Sequence, residues 1–417
     1  MTAAVEHVAL LVHGGVLVDA NGSLPTLPGV EDGHTLAEVL ALVDADIPIA
    51  PTAKLADGRL VHFVGTRADA RAVGSFIVPE ALPDAALAIV VARAVDELDP
   101  ARTPAGRPDW FRAGWFDVLE AWLDSVLEPR GRRRTGPVEP YKVWSISAVV
   151  RVPTEHGTLW CKAPCAHFRA EPRIHAAVSD MLPALVPELV AIEATEGWVL
   201  MEPFAGAEED EQAQGAALET ARRWAAAQLA TIGRVPELLA AGFPDRGLES
   251  TITAFERVLE GSAELALLSD AERLALSTAA APAMELVRAF WGTGIPDTLA
   301  HGDLHLGNVA WDGATLRIFD WTDGCVSHPF LDASHLGRWA DDDSAARALA
   351  AYADPWRARF PDADIDRALA LAALADLVFQ TVTYDAIMNA TEPQSAWELG
   401  GMVARNLRQL PQLVAEA

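Results

Sequence analysis

Three oxygen-bearing side chains carry the first chemical signal. Asp303 and Asn308 stand in His301-Gly302-Asp303-Leu304-His305-Leu306-Gly307-Asn308, and Asp320 follows in Ile318-Phe319-Asp320-Trp321. Two carboxylates and a carboxamide are hard donors, suited to magnesium and phosphate rather than zinc. The apolar segments flanking Asp312-Gly313, a hairpin dipeptide, predict two short strands, 308–311 and 316–319. That hairpin returns Asn308 to the side of Asp320, with Asp303 at the same turn. The plain alternative is a capped polar loop. The strand context and the second acid favour chemistry.

The elements that must position these groups can be read on either side. Alternating apolar runs predict strands over 140–144, 148–152, 158–162, 189–192 and 197–201. Residues 168–182, 211–232, 248–268 and 270–291 read as helices, with Asp270 as the cap of the last and Gly292 and Gly294 at its end. Helix returns over 365–415, broken at Thr391-Glu392-Pro393, and Asp341-Asp342-Asp343 reads as a helix start.

The spacing Asp303, Asn308, Asp320 resembles the catalytic segment of the protein-kinase-like fold in its small-molecule branch, the aminoglycoside phosphotransferase family. Gly302 stands where protein kinases carry Arg, and Asp320-Trp321-Thr322-Asp323 replaces Asp-Phe-Gly, as in the small-molecule branch. The resemblance runs from about 138 to 400 and implies an α+β, two-lobed fold. A five-stranded antiparallel small lobe over 137–206 ends in a hinge, and a mostly helical large lobe covers 207–417. It also implies ATP-dependent phosphoryl transfer, with GTP as the alternative nucleotide and Mg²⁺ as cofactor.

By the same resemblance, Asp303 is the catalytic residue and Asn308 and Asp320 are the metal ligands. Lys162, one of three lysines in the chain, closes a strand where the fold places its phosphate lysine. Glu171 is expected to orient it, with Asp180 in reserve. Ser145 and Ser147 form the phosphate loop, and Met201, Glu202 and Phe204 lie at the adenine hinge, which runs to Gly206. The acidic run 208–211 reads as a solvated helix start. His301 is expected to brace the loop, and His305 to lie on the surface.

Residues 1–105 fall outside the resemblance and read as a small α/β unit. Strands are expected at 8–12 and 15–18, broken at His13-Gly14, and at 59–64 and 87–91. A helix over 35–43 starts near Asp32 or His34. The order resembles a Nudix-type sheet, but no Glu-rich box is present and no acid or metal constellation is visible. A structural or lid role is therefore expected. A Pro-rich linker and an aromatic helix over 106–136 join this unit to the rest.

A formal charge of −27 disfavours nucleic acid and anionic membrane as partners. It is compatible with an aminated small-molecule hydroxyl acceptor. Cys161, Cys165 and Cys325 form neither a disulfide framework nor a zinc pattern, which fits a reducing cytoplasm. No signal peptide or membrane-spanning run is apparent. The competing reading is a nucleotide-binding, pseudokinase-like regulatory module, disfavoured by the intact set Lys162, Asp303, Asn308 and Asp320. The identity of the acceptor and the oligomeric state stay open.

Overall fold

A computed structural model describes residues 5–12, 15–28, 34–67, 75–205, 213–336 and 342–417. His13-Gly14, Asp32, Gly206, the acidic run 208–211 and Asp341 lie outside these residues. The chain divides into two compact units. Residues 1–166, 198–201 and 390–398 make the first, and 167–197, 202–389 and 399–417 the second.

The first unit begins with a mixed sheet. Its strands run in the order Ile47–Lys54, Leu60–Gly65, Glu6–Val12, Gly15–Val18, Ser75–Ile77, with Thr26–Leu27 also on Glu6–Val12. Successive side chains point to opposite faces. Ala9, Leu11, Val61 and Phe63 therefore pack with Leu87, Val91 and Ala94 of one helix, Ala85–Asp96. Val8, Leu10 and Val64 pack with Val39 and Leu40 of the other, Leu36–Leu42. Thr35 caps that second helix through a capping box with Glu38.

The expected strand at 87–91 is part of the helix Ala85–Asp96 instead. The β-branched run Ile89-Val90-Val91 suggested a strand. Asp84 overrides it by accepting the Ala86 and Leu87 N–H groups as an N-cap, and the buried positions 87, 91 and 94 follow a helical period. The strands Thr26–Leu27, Ile47–Lys54 and Ser75–Ile77 were not anticipated. Pro48 and Pro51 interrupt the longest of them and hide its pattern.

The aromatic helix forms over Trp115–Leu127 and buries Trp115, Phe116, Leu119, Leu123 and Leu127 along one face. Beyond it, four strands of this unit pair antiparallel in the order Trp198–Met201, Gly157–Pro164, Ser147–Thr154, Glu139–Val143. Lys162 stands opposite Val149 on one side and Val199 on the other. The strand Leu189–Glu193 also forms and falls in the second unit.

The second unit is mainly helical. Its core gathers Trp224, Phe290, Trp321, Phe330, Tyr352 and Trp356. The helix Asp270–Trp291 is capped by Ser269, one residue before the expected Asp270, because Ser269 forms a capping box with Glu272. The helix expected over 248–268 stops at Gly261 and continues as a short 3₁₀ turn, Ala263–Leu267. Glu264 in that turn is buried and accepts the N–H groups of Gly401 and Ala404.

Candidate active site

The segment 301–308 follows a fully buried three-residue strand, Thr298–Ala300, which pairs with Cys325–Ser327. Neither strand was anticipated, because three apolar residues leave no measurable period. His301 comes next and is buried. Its Nε2 lies 3.0 Å from the Phe319 carbonyl, and its Nδ1 accepts the Asp303 N–H at 3.3 Å. Burial lowers the imidazole pKa, so a neutral ring donating from Nε2 satisfies both contacts. His301 braces the loop, as expected.

Gly302 has φ +82°, and a Cβ there would stand 2.6 Å from the Asp323 carbonyl oxygen. A side chain at this position would have to displace that carbonyl and adopt a backbone that favours glycine. The Gly302 carbonyl accepts from Gln380 Nε2 at 2.8 Å.

Asp332, which sequence reading missed, holds this turn from beneath. It is fully buried and accepts from the N–H groups of His301 and Gly302 at 2.9 Å each. It also accepts from Trp224 Nε1 at 2.8 Å and Gln228 Nε2 at 3.0 Å. Burial raises its carboxyl pKa, which the His301 ring, the His301 and Gly302 N–H groups and Trp224 only partly counter. The available signal was an acid inside the apolar run Pro329-Phe330-Leu331-Asp332-Ala333, since a buried carboxylate must be paired.

Asn308 donates from Nδ2 to the Asp303 carbonyl at 2.9 Å and reaches its Oδ2 at 3.4 Å. The hairpin forms as expected, with Val309 opposite Ile318, and the Phe319 N–H donates to the Asn308 carbonyl at 3.0 Å. Asp320 follows in the left-handed region at φ +63°, unusual for a residue with a Cβ. Thr322 Oγ1 donates to its Oδ1 at 2.8 Å.

His305 is half-buried rather than a surface residue. Its Nδ1 accepts the Gly307 N–H at 3.0 Å, and its Nε2 lies 3.5 Å from Asp303 Oδ2. Burial raises the Asp303 carboxyl pKa. The His305 ring, with smaller contributions from His335 and His301, outweighs that and holds it below the ordinary aspartate range.

Among the remaining expected site residues, Lys162 is buried in its strand. Glu171 is buried in the first turn of the helix Glu171–Met181, whereas the reserve candidate Asp180 is exposed. Ser145 and Ser147 are buried; the Ser145 N–H donates to Glu398 Oε2 at 2.8 Å, and Ser147 Oγ accepts from Trp144 Nε1 at 2.8 Å. Met201 ends its strand, buried. The Glu202 N–H donates to the Glu188 carbonyl at 2.9 Å and is already engaged. Pro203 has no N–H, so Phe204 offers the next main-chain donor. Its ring packs 5.1 Å from Phe319, beside a cavity of about 200 Å³ lined in part by Glu188, Glu202, Asp312 and Arg317.

The N-terminal sheet assembles an acid–imidazole cluster that the linear order concealed. Buried Glu6 lies 2.8 Å from His62 Nε2 and 3.1 Å from His34 Nδ1, and His62 Nδ1 lies 3.0 Å from Thr52 Oγ1. Thr52, His62 and Glu6 sit on three adjacent strands and satisfy one another. Among the described residues, no group of three or more His, Cys, Asp or Glu side chains is arranged to hold a metal ion.

The family model described as "Phosphotransferase enzyme family" matches residues 144–371, just over half of the chain and all of the segment above. The chain belongs to the phosphotransferase enzyme family. As a member, it is an enzyme of the small-molecule kinase class. A GDP complex of an aminoglycoside 2'-phosphotransferase IIIa variant has the same kinase-like fold. The two are 16% identical, with a TM-score of 0.51 over 71% of this chain and 97% of that one. A macrolide 2'-phosphotransferase type I is 19% identical at a TM-score of 0.47, over 70% and 96%. A choline/ethanolamine kinase family protein from Mesorhizobium loti is 20% identical at 0.46, over 72% and 98%. No curated protein matches the chain. No helix among the described residues is long and apolar enough to cross a membrane.

Proposed function

We propose that this phosphotransferase moves the γ-phosphate of ATP to a hydroxyl of a small molecule. The observation that carries this reading is the contact of Asn308 with both the carbonyl and the carboxylate of Asp303. With Nδ2 engaged by Asp303, Oδ1 is the amide atom of Asn308 left for a metal ion, while Asp303 is held below the ordinary aspartate range and is partly open to solvent.

Asn308 and Asp320 fit magnesium by donor type: both offer hard oxygens, and magnesium takes one or two protein ligands alongside substrate phosphates. When bound, the ion neutralises charge on the phosphates. Asp303 then accepts the proton of the acceptor hydroxyl as it attacks. Charge on the transferring group spreads over three oxygens, so positioning and electrostatics supply most of the catalysis. Lys162 steadies the α- and β-phosphates, with Glu171 orienting its ammonium. Ser145 and Ser147 belong to the phosphate loop, and Met201, Glu202 and Phe204 to the adenine side. The acidic balance of the chain points to an aminated acceptor, an amino sugar or aminoglycoside.

The test is ATP consumption over a panel of amino sugars, aminoglycosides, amino alcohols and plain sugars, with GTP as a parallel donor. Turnover dependent on one acceptor class is the expected result. Nucleotide binding with no turnover on any acceptor would favour a regulatory module instead.

A further inference from the structure

The loop Ser145-Ile146-Ser147 contains no glycine, yet its main chain is held at every residue. The Trp144 carbonyl accepts from Trp110 Nε1 at 2.9 Å, the Ser145 N–H donates to Glu398 Oε2 at 2.8 Å, and the Ile146 carbonyl accepts from the Cys165 N–H at 2.8 Å. The Trp144 N–H closes on the Ser147 carbonyl at 3.1 Å, and its indole N–H on Ser147 Oγ at 2.8 Å. Trp110 and Glu398 both lie outside the span matched by the family model, 144–371.

Glu398 ends a short 3₁₀ turn, Ala396–Glu398, in the segment 390–398, which belongs to the same compact unit as the loop. That segment is held by the N-terminal sheet, by the end of one of its helices and by the linker that follows. Arg107 donates from Nε to both Glu392 oxygens at 2.8 and 2.9 Å, and both residues are buried. Arg107 also reaches Glu97, at the end of the helix Ala85–Asp96, and Gln394 Nε2 donates to Glu97 at 3.0 Å. Trp397 Nε1 donates to the Thr52 carbonyl at 2.9 Å, and the Lys54 ammonium stands 5.4 Å from the Trp397 ring.

We propose that Glu398 is a positioning residue for the phosphate loop, and that the N-terminal unit serves the kinase by clamping residues 390–398 so that Glu398 meets the Ser145 N–H. The proposal rests on the phosphate-loop reading of 145–147. With the Ser145 N–H held by Glu398, a loop ordered before the nucleotide arrives keeps its remaining donors aimed, the serine hydroxyls among them, and has no ordering cost on binding. A glycine-rich loop in this place would be free to move. Here the freedom is removed by a carboxylate 253 positions away in the chain. Removing the acceptor of a buried N–H leaves the donor unsatisfied, which costs more than the bond itself contributes.

The test compares the full chain with Glu398→Ala and Glu398→Gln, using calorimetry with MgATP and with adenosine, and hydrogen exchange over 144–148. Glu398→Ala is expected to bind MgATP about tenfold more weakly, with adenosine affinity unchanged and faster exchange at Ser145 and Ile146. Glu398→Gln keeps a carbonyl acceptor and should stay within about threefold of the native chain. Native MgATP affinity in a folded Glu398→Ala chain overturns the proposal, and so does equal weakening toward MgATP and adenosine. If Glu398→Ala does not fold, Trp397→Phe loosens the clamp at Thr52 and must weaken MgATP selectively, or the proposal fails. A native chain that binds adenosine and MgATP equally well overturns the phosphate-loop reading itself, a result distinct from the others.

Discussion

Asn308 reaches back to Asp303 twice, donating to its main-chain oxygen at 2.9 Å and lying 3.4 Å from its carboxylate Oδ2. The residue assigned to the metal thus also fixes the residue assigned to the proton. His305 stands 3.5 Å from the same Oδ2, so both donors gather on one oxygen. Asp303→Asn keeps the size of the side chain and removes its basicity. It should retain MgATP affinity and lose about 10² to 10⁴ in rate. Single-turnover kinetics on any acceptor found by the panel decides this, and full activity would remove Asp303 from the role of base.

Asp320 holds a left-handed backbone at φ +63°. Strain of this kind persists where a site requires it. Asn tolerates this region better than most residues, so Asp320→Asn should fold normally. It should weaken nucleotide binding in the presence of magnesium and leave binding without magnesium nearly unchanged. Calorimetry with and without the ion separates the two; equal affinities in magnesium would contradict the ligand role.

Gly302 and Gly313 both have positive φ, +82° and +91°, but only Gly302 has a neighbour that a Cβ would strike. Gly313→Ala should cost only the backbone term, about 1 kcal/mol. Gly302→Ala adds a clash with the Asp323 carbonyl, and should lose more stability and most of the activity. Urea unfolding of the two variants side by side measures the difference; equal losses would mean the catalytic turn relaxes freely.

Asp332 accepts from four N–H groups, two of them at His301 and Gly302. Asp332→Ala would leave all four buried and unsatisfied. A loss of about 3 kcal/mol or more is expected, with activity falling further than stability alone explains. Chemical denaturation gives the first quantity and residual activity far below the melting temperature the second. A chain that keeps native activity would show that the turn holds itself.

His328 is fully buried among Phe290, Trp291 and Phe330, and burial lowers its pKa to about 3. An unfolded chain takes up this proton near pH 6.5, whereas the folded chain resists it. Between these values the unfolded state binds more protons, so stability falls as pH falls, by about 1.4 kcal/mol per pH unit from this group. Stability curves for the native chain and His328→Gln between pH 6.5 and 4 should differ in slope by about one proton. Parallel curves would mean the imidazole is already charged in the fold.

The hairpin 309–318 and the three oxygen donors beside it were legible because everything that defines them is local. A turn dipeptide, two short apolar runs and a fixed spacing lie within one stretch of chain, and the pairing of Val309 with Ile318 follows from them. The helix Ala85–Asp96 shows the limit of local reading: its β-branched run favoured a strand, and an Asp cap and the packing of one face decided for helix. The three-residue strands Thr298–Ala300 and Cys325–Ser327 are too short to carry a period, and exist because burial on all sides demands that their main chains pair.

Sequence alone determined the family and marked the candidate reactive groups, since side-chain type and close spacing survive without knowledge of the fold. Tertiary structure alone decided what restrains those groups. Asp332, Gln380 and Glu398 act on main-chain atoms 30, 78 and 253 positions away. A backbone N–H or carbonyl is the same at every residue, so nothing in the linear order marks which one a distant side chain will hold.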